Sequence, residues 1–530
     1  MARTAVVALA FLAFMAGSAQ ATTFQVVVVP GLTLDDLEDL ADRGAVGLLN
    51  PGAGPETSRG LAMRALVTGE VRNSLREEDG SGGGLGLVFQ VEEAQLGSVE
   101  GNVIYVGLPV GGRQPNDKRY PILVVGPGFA GLLTSDSTRI PGLVSVADVA
   151  PTARGEDDGL DSQSAQDTAS KLRELDDRID ENNGVRLPAT ILVCALILGL
   201  ALFSPAAAVP ALAAALLTNL VLGLAGISEF WTVMAIFATA VLLGGPLLAS
   251  LLRSPVALGS LLVAVVAAYL LVLGVDGPSA ALSPFGPTQN SRYFGLSNLL
   301  ETMLLVPALG GAALLFRRFG WTAFVGTALL AFATVAGNRF GADGGGAIVL
   351  AGGFAVLAVL LSGGGRRALA IAVGVSFTLA LGLVALDAAT GGSSHVTKAL
   401  DDGPVGLTED LGERVELSWE RATRDWYIAL SVVLMLALFL FLVVRTLRRP
   451  GSLGDSAVAL ALASAIAVSL VVNDSPTDVL LVGLTSYVAA DVGMLLARWP
   501  ATSRSLSPSL RAPLSRAAAA GRTRRRPPRP

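Results

Sequence analysis

The residues of this chain best equipped for chemistry stand in short polar interruptions between long apolar runs. One interruption is Gly337-Asn338-Arg339-Phe340-Gly341-Ala342-Asp343-Gly344-Gly345-Gly346. Another is Ser291-Arg292-Tyr293-Phe294-Gly295-Leu296-Ser297-Asn298, with Glu301 just beyond it. Ser393-Ser394-His395 and Asn473-Asp474-Ser475 complete the set. Arg292 and Arg339 can fork onto a phosphate or carboxylate. Gly344 and Gly345 stand where the next helix begins, so backbone N–H groups and the helix dipole add to the same anion-binding chemistry. Asp343, Glu301 and Asp474 can act as a base, bind a cation or pair the arginines. His395 can shuttle a proton. Tyr293, Asn298, Asn338 and Asn473 are the candidate hydrogen-bonding residues for a ligand. A competing reading makes Arg339–Asp343 and Arg292–Glu301 structural pairs and the glycines close helix packing.

The elements that must position these residues are membrane helices. Of the 530 residues, 52% are hydrophobic and only 15% are charged, against about 25% charged in soluble domains. Apolar runs of spanning length fall at about eleven places: roughly 188–207, 208–226, 231–250, 255–275, 297–316, 321–337, 345–362, 368–386, 427–444, 456–472 and 478–497. The first two are separated only by Ser204-Pro205 and Pro210, and a hairpin is expected there. The single cysteine, Cys194, excludes an intrachain disulfide and cysteine-ligated zinc or iron–sulfur sites. The single histidine excludes a multidentate His site, so no metal site and no cofactor is expected. Abundant Ala, Gly and Val, with Arg favoured over Lys, fit a GC-rich bacterial genome.

Charge orients the bundle. Met1-Ala2-Arg3, the apolar run 5–16 and Ala19-Gln20-Ala21 read as a signal peptide over 1–21. An exported N-terminal domain makes the first span run inward. Arg253, Arg317-Arg318, Arg366-Arg367, Arg445–Arg449 and the C-terminal tail then all fall on the cytoplasmic side, as the positive-inside rule requires. Every polar motif above falls on the opposite side. Asp401–Arg424 reads as an interfacial helix with Trp419 and Trp426 at headgroup level. The tail 499–530 is Pro-, Ser- and Arg-rich, is expected to be disordered and to meet anionic lipid, and is not read as a nucleic-acid arm.

Residues 22–159 carry strand and helix patterns in alternation: strands at Phe24–Val29, Val46–Leu49, Gly86–Val91, Asn102–Gly107 and Pro121–Val125, helices at Leu34–Arg43 and Ser58–Thr68. That order predicts an extracytoplasmic α/β domain with a mostly parallel sheet. Residues 160–187 form an acidic linker, helical over 165–179 and ending at Asn182-Asn183-Gly184, with Pro188 opening the first span. Residues 22–187 hold 26 Asp/Glu against 14 Lys/Arg.

The segment "GAVGLLN", the Thr57-Ser58 loop, the helix ending "LVTG" and the stretch "LLTSDSTRIPGLVSVADVAPT" resemble the two ends of an alkaline-phosphatase-superfamily domain, in truncated form. The resemblance implies a metal-binding Asp after the first strand and an Asp-His pair near the end. Here Pro30 follows Val29, Ser137 follows Asp136, and the domain has no histidine. Phosphatase activity is therefore not expected, and Thr57 and Ser58 read as caps of the following helix. The motifs "RYFGLSN", "GADGGG", "SSH" and "NDS", with this degenerate domain, resemble a family of bacterial polytopic membrane proteins. That likeness implies an architecture and no reaction. Its pattern has Glu after the Asn of the first motif, where this chain has Leu299.

The expectation is an α-helical polytopic membrane bundle over 188–498, beneath an N-terminal α/β domain. The bundle would bind or process an anionic, lipid-linked cell-envelope precursor at the outer leaflet. A non-catalytic scaffold using a pseudo-phosphatase domain, and a secondary transporter, are the alternatives.

Overall fold

The computed structural model describes residues 24–38, 40–71, 73–75, 91–93, 96, 101–156, 159–287, 293–342, 344–363, 367, 371, 416–449, 456–473 and 475–496. The signal-peptide and tail expectations, the strand expected at 86–90, the span expected at 368–386, and Arg292, Asp343, His395 and Asp474 lie outside these residues.

The N-terminal domain is built on a mixed eight-stranded sheet. Its strands are β1 (Gln25–Val28) and β2 (Ala45–Asn50), then β4 (Val91–Glu93), β5 (Val103–Val106) and β7 (Tyr120–Val125), then β8 (Gly131–Thr134), β9 (Leu143–Ser145) and β10 (Asp161–Gln163). The order is β10-β8-β2-β7-β5-β1-β4, with β9 also on β2. A small ribbon of β3 (Glu56–Thr57) and β6 (Gln114–Pro115) stands apart. The runs Val26–Val28 and Ala45–Asn50 are buried throughout, so both faces of the sheet are covered.

The sheet is mixed: four of its seven pairings are parallel and three antiparallel. β7 pairs antiparallel with both β2 and β5, because no crossover helix separates β5 from β7. Helix α1 (Leu34–Glu38) is shorter than expected and is followed by a 3₁₀ turn at Ala41–Arg43. Helix α2 (Arg59–Thr68) is capped by Ser58, whose Oγ accepts from Leu61 N at 3.2 Å. Helix α3 (Val149–Arg154) precedes the last strand, β10.

The expected linker helix and first span are one element. Helix α4 runs unbroken from Thr168 to Phe203 with Pro188 inside it. The Asn-Asn-Gly stop signal is overridden by packing: Asn182 Nδ2 donates to Leu282 O at 2.9 Å, and Val185 and Ala189 are fully buried. The domain is thus bolted to the bundle by a continuous rod. Arg119, directly before β7, its side chain 1% exposed, pairs with Asp176 and Asp180 of that rod at 2.5 and 2.6 Å.

The bundle continues with α5 (Pro205–Ala225), α6 (Phe230–Leu251), α7 (Pro255–Val275), the short α8 (Gly277–Ala281), α9 (Asn298–Phe319), α10 (Trp321–Ala336) and α11 (Gly344–Ser362). Then come α12 (416–423), α13 (Trp426–Leu447), α14 (Ala457–Val472) and α15 (Pro476–Leu496). Among the described residues, seven helices are long and apolar enough to cross a membrane: α4, α5, α6, α7, α9, α11 and α13. Helices α10 and α14 are shorter apolar helices. α4 and α5 form the expected hairpin at Ser204, since Arg178 Nη2 reaches Gly223 O at 2.5 Å. Single π turns at 240–244 and 306–310 interrupt α6 and α9.

Candidate functional site

The loops fall at two ends of the bundle. Arg139 of the N-terminal domain touches Asn338, Arg424 pairs with Glu56, and Ser228 donates to Glu181. Those loops form the end next to the domain. Arg317, Arg318 and Arg445 stand in the last turns of their helices, at the opposite end, and Arg253, Arg448 and Arg449 follow just after theirs. The polar motifs among the described residues therefore share one end and the basic loops the other.

The first turn of α9 is fixed from below. Asn219, fully buried on α5, donates to Ser283 Oγ at 2.9 Å and to Tyr269 Oη at 3.2 Å, while its Oδ1 accepts from Phe285 N at 2.9 Å. The Phe285 carbonyl accepts from Ser297 Oγ at 2.6 Å. Ser297 Oγ in turn caps α9 by accepting from Leu300 N at 3.1 Å. A satisfied buried network of this kind holds one arrangement.

Glu301 stands in that capped turn with 0% exposure. Its Oε2 accepts from Asn473 Nδ2 at 2.9 Å. Asn473 ends α14, and the same Nδ2 donates to Ser469 Oγ at 2.8 Å. The Asn473 carbonyl accepts from Ser418 Oγ of α12 at 2.6 Å. Asn298 Nδ2 and Arg421 Nη1 both reach Ser475 Oγ, each at 3.4 Å. Side chains of α9, α12, α14 and the start of α15 therefore meet at one place. The helix dipole of α9 favours a carboxylate in its first turn.

The glycine-rich loop packs beside this cluster. Gly341 O accepts from Leu296 N at 3.1 Å. Gly295, at φ +77°, lies so close that a Cβ there would collide with the Gly341 carbonyl. Ala342 adopts φ +51°. Helix α11 runs antiparallel to α14, with Gly352 on Val468 and Gly353 on Ala465. Gly344 and Gly345, in the first turn of α11, thus lie at the same end as Asn473.

Several expected site residues take other places. Tyr293 is 3% exposed and packs in the apolar cluster under the sheet with Leu172, Ile179 and Ala281, so it joins the domain to the bundle rather than facing a ligand. Arg339 is exposed, and Asn338 is buried with its carbonyl on Arg139. Glu301 accepts from Asn473, and its expected partner Arg292 lies outside the described residues. Asn298, Glu301 and Asn473 are brought together; Arg339 is not drawn into their cluster by any hydrogen bond or ion pair among the described residues. Ser418, Arg421, Ser469 and Arg139 were not expected. Arg421 lay in a segment whose amphipathic spacing pointed only to the membrane surface.

Among the described residues, no group of three His, Cys, Asp or Glu is placed to hold a metal ion. No family model, curated protein or solved structure matches this chain.

Proposed function

We propose that this chain is a multi-pass membrane protein that binds or processes an anionic, lipid-linked cell-envelope precursor at the outer leaflet. The site would be the cluster around Glu301 and Asn473. One observation carries the reading: Asn298, Glu301, Asn473, Ser475 and Arg421 converge from separate elements of an otherwise apolar bundle. Burying such groups is costly and marks an intramembrane site by default. Arg421 and the first turn of α11 supply positive charge and N–H groups for the anion.

Eleven spans belong to this reading. The chain leaves the far end after Ser362 and is back at the domain end by 416, which takes an odd number of crossings. The apolar run at 368–386, outside the described residues, is read as one of them. The arginines at the far end support a cytoplasmic assignment there. The N-terminal domain, tied to the bundle by Arg119, Arg139 and Arg178, is read as a non-catalytic, phosphatase-like binding module.

Complementation of a deletion strain tests the proposal. Asn473→Leu and Arg421→Gln, made at normal expression, are expected to lose envelope function. Full complementation by both variants would contradict it.

A further inference from the structure

One short helix joins the N-terminal domain to the bundle cluster. Helix α12 (416–423) lies against the α14–α15 connection. Ser418 Oγ donates to Asn473 O at 2.6 Å, and Arg421 Nη1 reaches Ser475 Oγ at 3.4 Å. Directly after α12, Arg424 Nη2 meets Glu56 Oε1 of the N-terminal domain at 2.6 Å. Three contacts, spaced three residues apart, thus run from Asn473, the donor to Glu301, to the domain.

The hold on α12 is light. Of its eight residues only Ser418 is buried; Leu417 and Ala422 are half-buried, and Trp419 is 70% exposed. So short a helix does not persist on propensity alone, and its place depends on its contacts. The side chains of the Arg424–Glu56 pair are 43% and 28% exposed, and ion pairs in reach of water contribute little. Parting them strands no buried charge, because Glu56 Oε2 also faces Arg113 Nη1 of the domain at 3.5 Å. The closed position carries a cost of its own. Glu420 Oε2 is buried with no hydrogen-bond partner among the described residues, and release to water would satisfy it. Helix α13, which begins at Trp426, is just as lightly held: among the described residues only 6% of its apolar window is buried, the least of the seven spanning-length helices. Segments with few buried contacts open at low free energy.

We propose that α12 is a strap across the Glu301–Asn473 cluster, latched to the N-terminal domain by Arg424–Glu56, and that its release admits the anionic head group. The inference rests on the proposed function for the identity of the ligand and adds what controls access to it. The N-terminal domain, through Glu56, holds the latch.

Hydrogen exchange of the full chain in phosphatidylcholine nanodiscs tests the latch. Exchange at 416–423 is expected to speed up about threefold in Glu56→Gln and in Arg424→Gln, the worth of one exposed ion pair. The double variant is expected to be no faster than either single one, because both remove the same contact. No rise at 416–423, an equal rise at 298–305, or additive effects in the double variant overturns the proposal. Covalent closure tests access. In the full chain with Glu56→Cys and Arg424→Cys, a short bis-maleimide is expected to slow uptake of polyprenyl phosphate from donor vesicles about tenfold or more against the same chain left unlinked. Cys194 is buried and does not compete for the reagent. Equal uptake by the linked and unlinked chains overturns the proposal. A wild type that takes up polyprenyl phosphate no better than the matching polyprenol fails the proposed function instead, and the exchange measurement, made without either lipid, still decides the strap.

Discussion

Arg139 of the N-terminal domain donates from Nη1 to the Asn338 carbonyl at 2.6 Å, across the junction between sheet domain and bundle. Its guanidinium also lies over the Phe294 ring, 4.0 Å from the centroid. Arg139 takes φ +57° to do so, and Ala342 in the contacted loop takes φ +51°. Left-handed backbone at non-glycine residues costs about 1 kcal/mol or more and persists only where surrounding contacts enforce it. Strain on both sides of one contact marks this junction as a place the fold maintains.

Arg139→Ala is therefore expected to loosen the glycine-rich loop. Hydrogen exchange at 337–342 should speed up about tenfold or more, with only about 1–2 kcal/mol lost from the domain. Arg139→Lys should restore little, since it lacks the planar face that stacks on Phe294. Unchanged exchange in Arg139→Ala would show that the loop is held by the bundle alone.

Glu301 and Asn473 should behave as a coupled pair. Glu301→Gln keeps an acceptor for Asn473 Nδ2 and should cost less than about 1 kcal/mol. Asn473→Leu removes a hydrogen-bond donor from a fully buried carboxylate and should cost about 3 kcal/mol. A double-mutant cycle with Glu301→Leu, measured by thermal unfolding in detergent, should give a coupling above about 1 kcal/mol. Additive effects would mean the contact carries no energy.

The far end has its own lock. Arg449 meets Asp491 in a two-pronged pair, both bonds 2.6 Å, between α13 and α15. Asp491 is 7% exposed, so Arg449→Ala should destabilise by about 3 kcal/mol. The double replacement Arg449→Met with Asp491→Leu should recover most of that loss. Thermal midpoints of the three variants decide; no recovery in the double variant would contradict the account.

Asp148 gives the N-terminal domain a pH dependence of known sign. Burial raises its carboxyl above the usual range, against hydrogen bonds from Ser137 Oγ and Ser145 N, which pull it down. The folded state then holds the proton more tightly than the unfolded one. Its stabilising contribution is full below the ordinary aspartate value, about pH 4, and is lost as pH rises through the folded value. Asp148→Asn should accordingly raise the thermal midpoint at pH 7, and the advantage should shrink on acidification. An advantage that grows with acid would reverse the assignment.

Much of the architecture was legible because apolar length and arginine placement are strong signals. The helix starts at Asn298 and Gly344 and the cap at Ser58 follow from local rules, whereas the start at Pro205 falls inside the span expected at 188–207. The sheet was read less well: β8, β9 and β10 are three or four residues long, too short for periodicity to register. The continuous α4 escaped because Asn182-Asn183-Gly184 is a local stop that tertiary packing overrides. At the site, the polar motifs were visible, but pairing was not. Glu301 and Asn473 are far apart in sequence, and nothing local to either predicts the other. Tyr293 looked like a ligand residue because its aromatic hydroxyl sat among polar neighbours; only the fold shows it buried beneath the sheet.

The cluster around Glu301 and Asn473 is proposed to bind an anionic lipid-linked head group. Native mass spectrometry of the full chain in nanodiscs containing equal amounts of a polyprenyl phosphate and the matching uncharged polyprenol decides this. The phosphate is expected to be retained over the polyprenol, and Arg421→Gln and Asn473→Leu are each expected to reduce this preference about tenfold. Equal retention of the two lipids by the wild type, or a preference untouched by both substitutions, would contradict it.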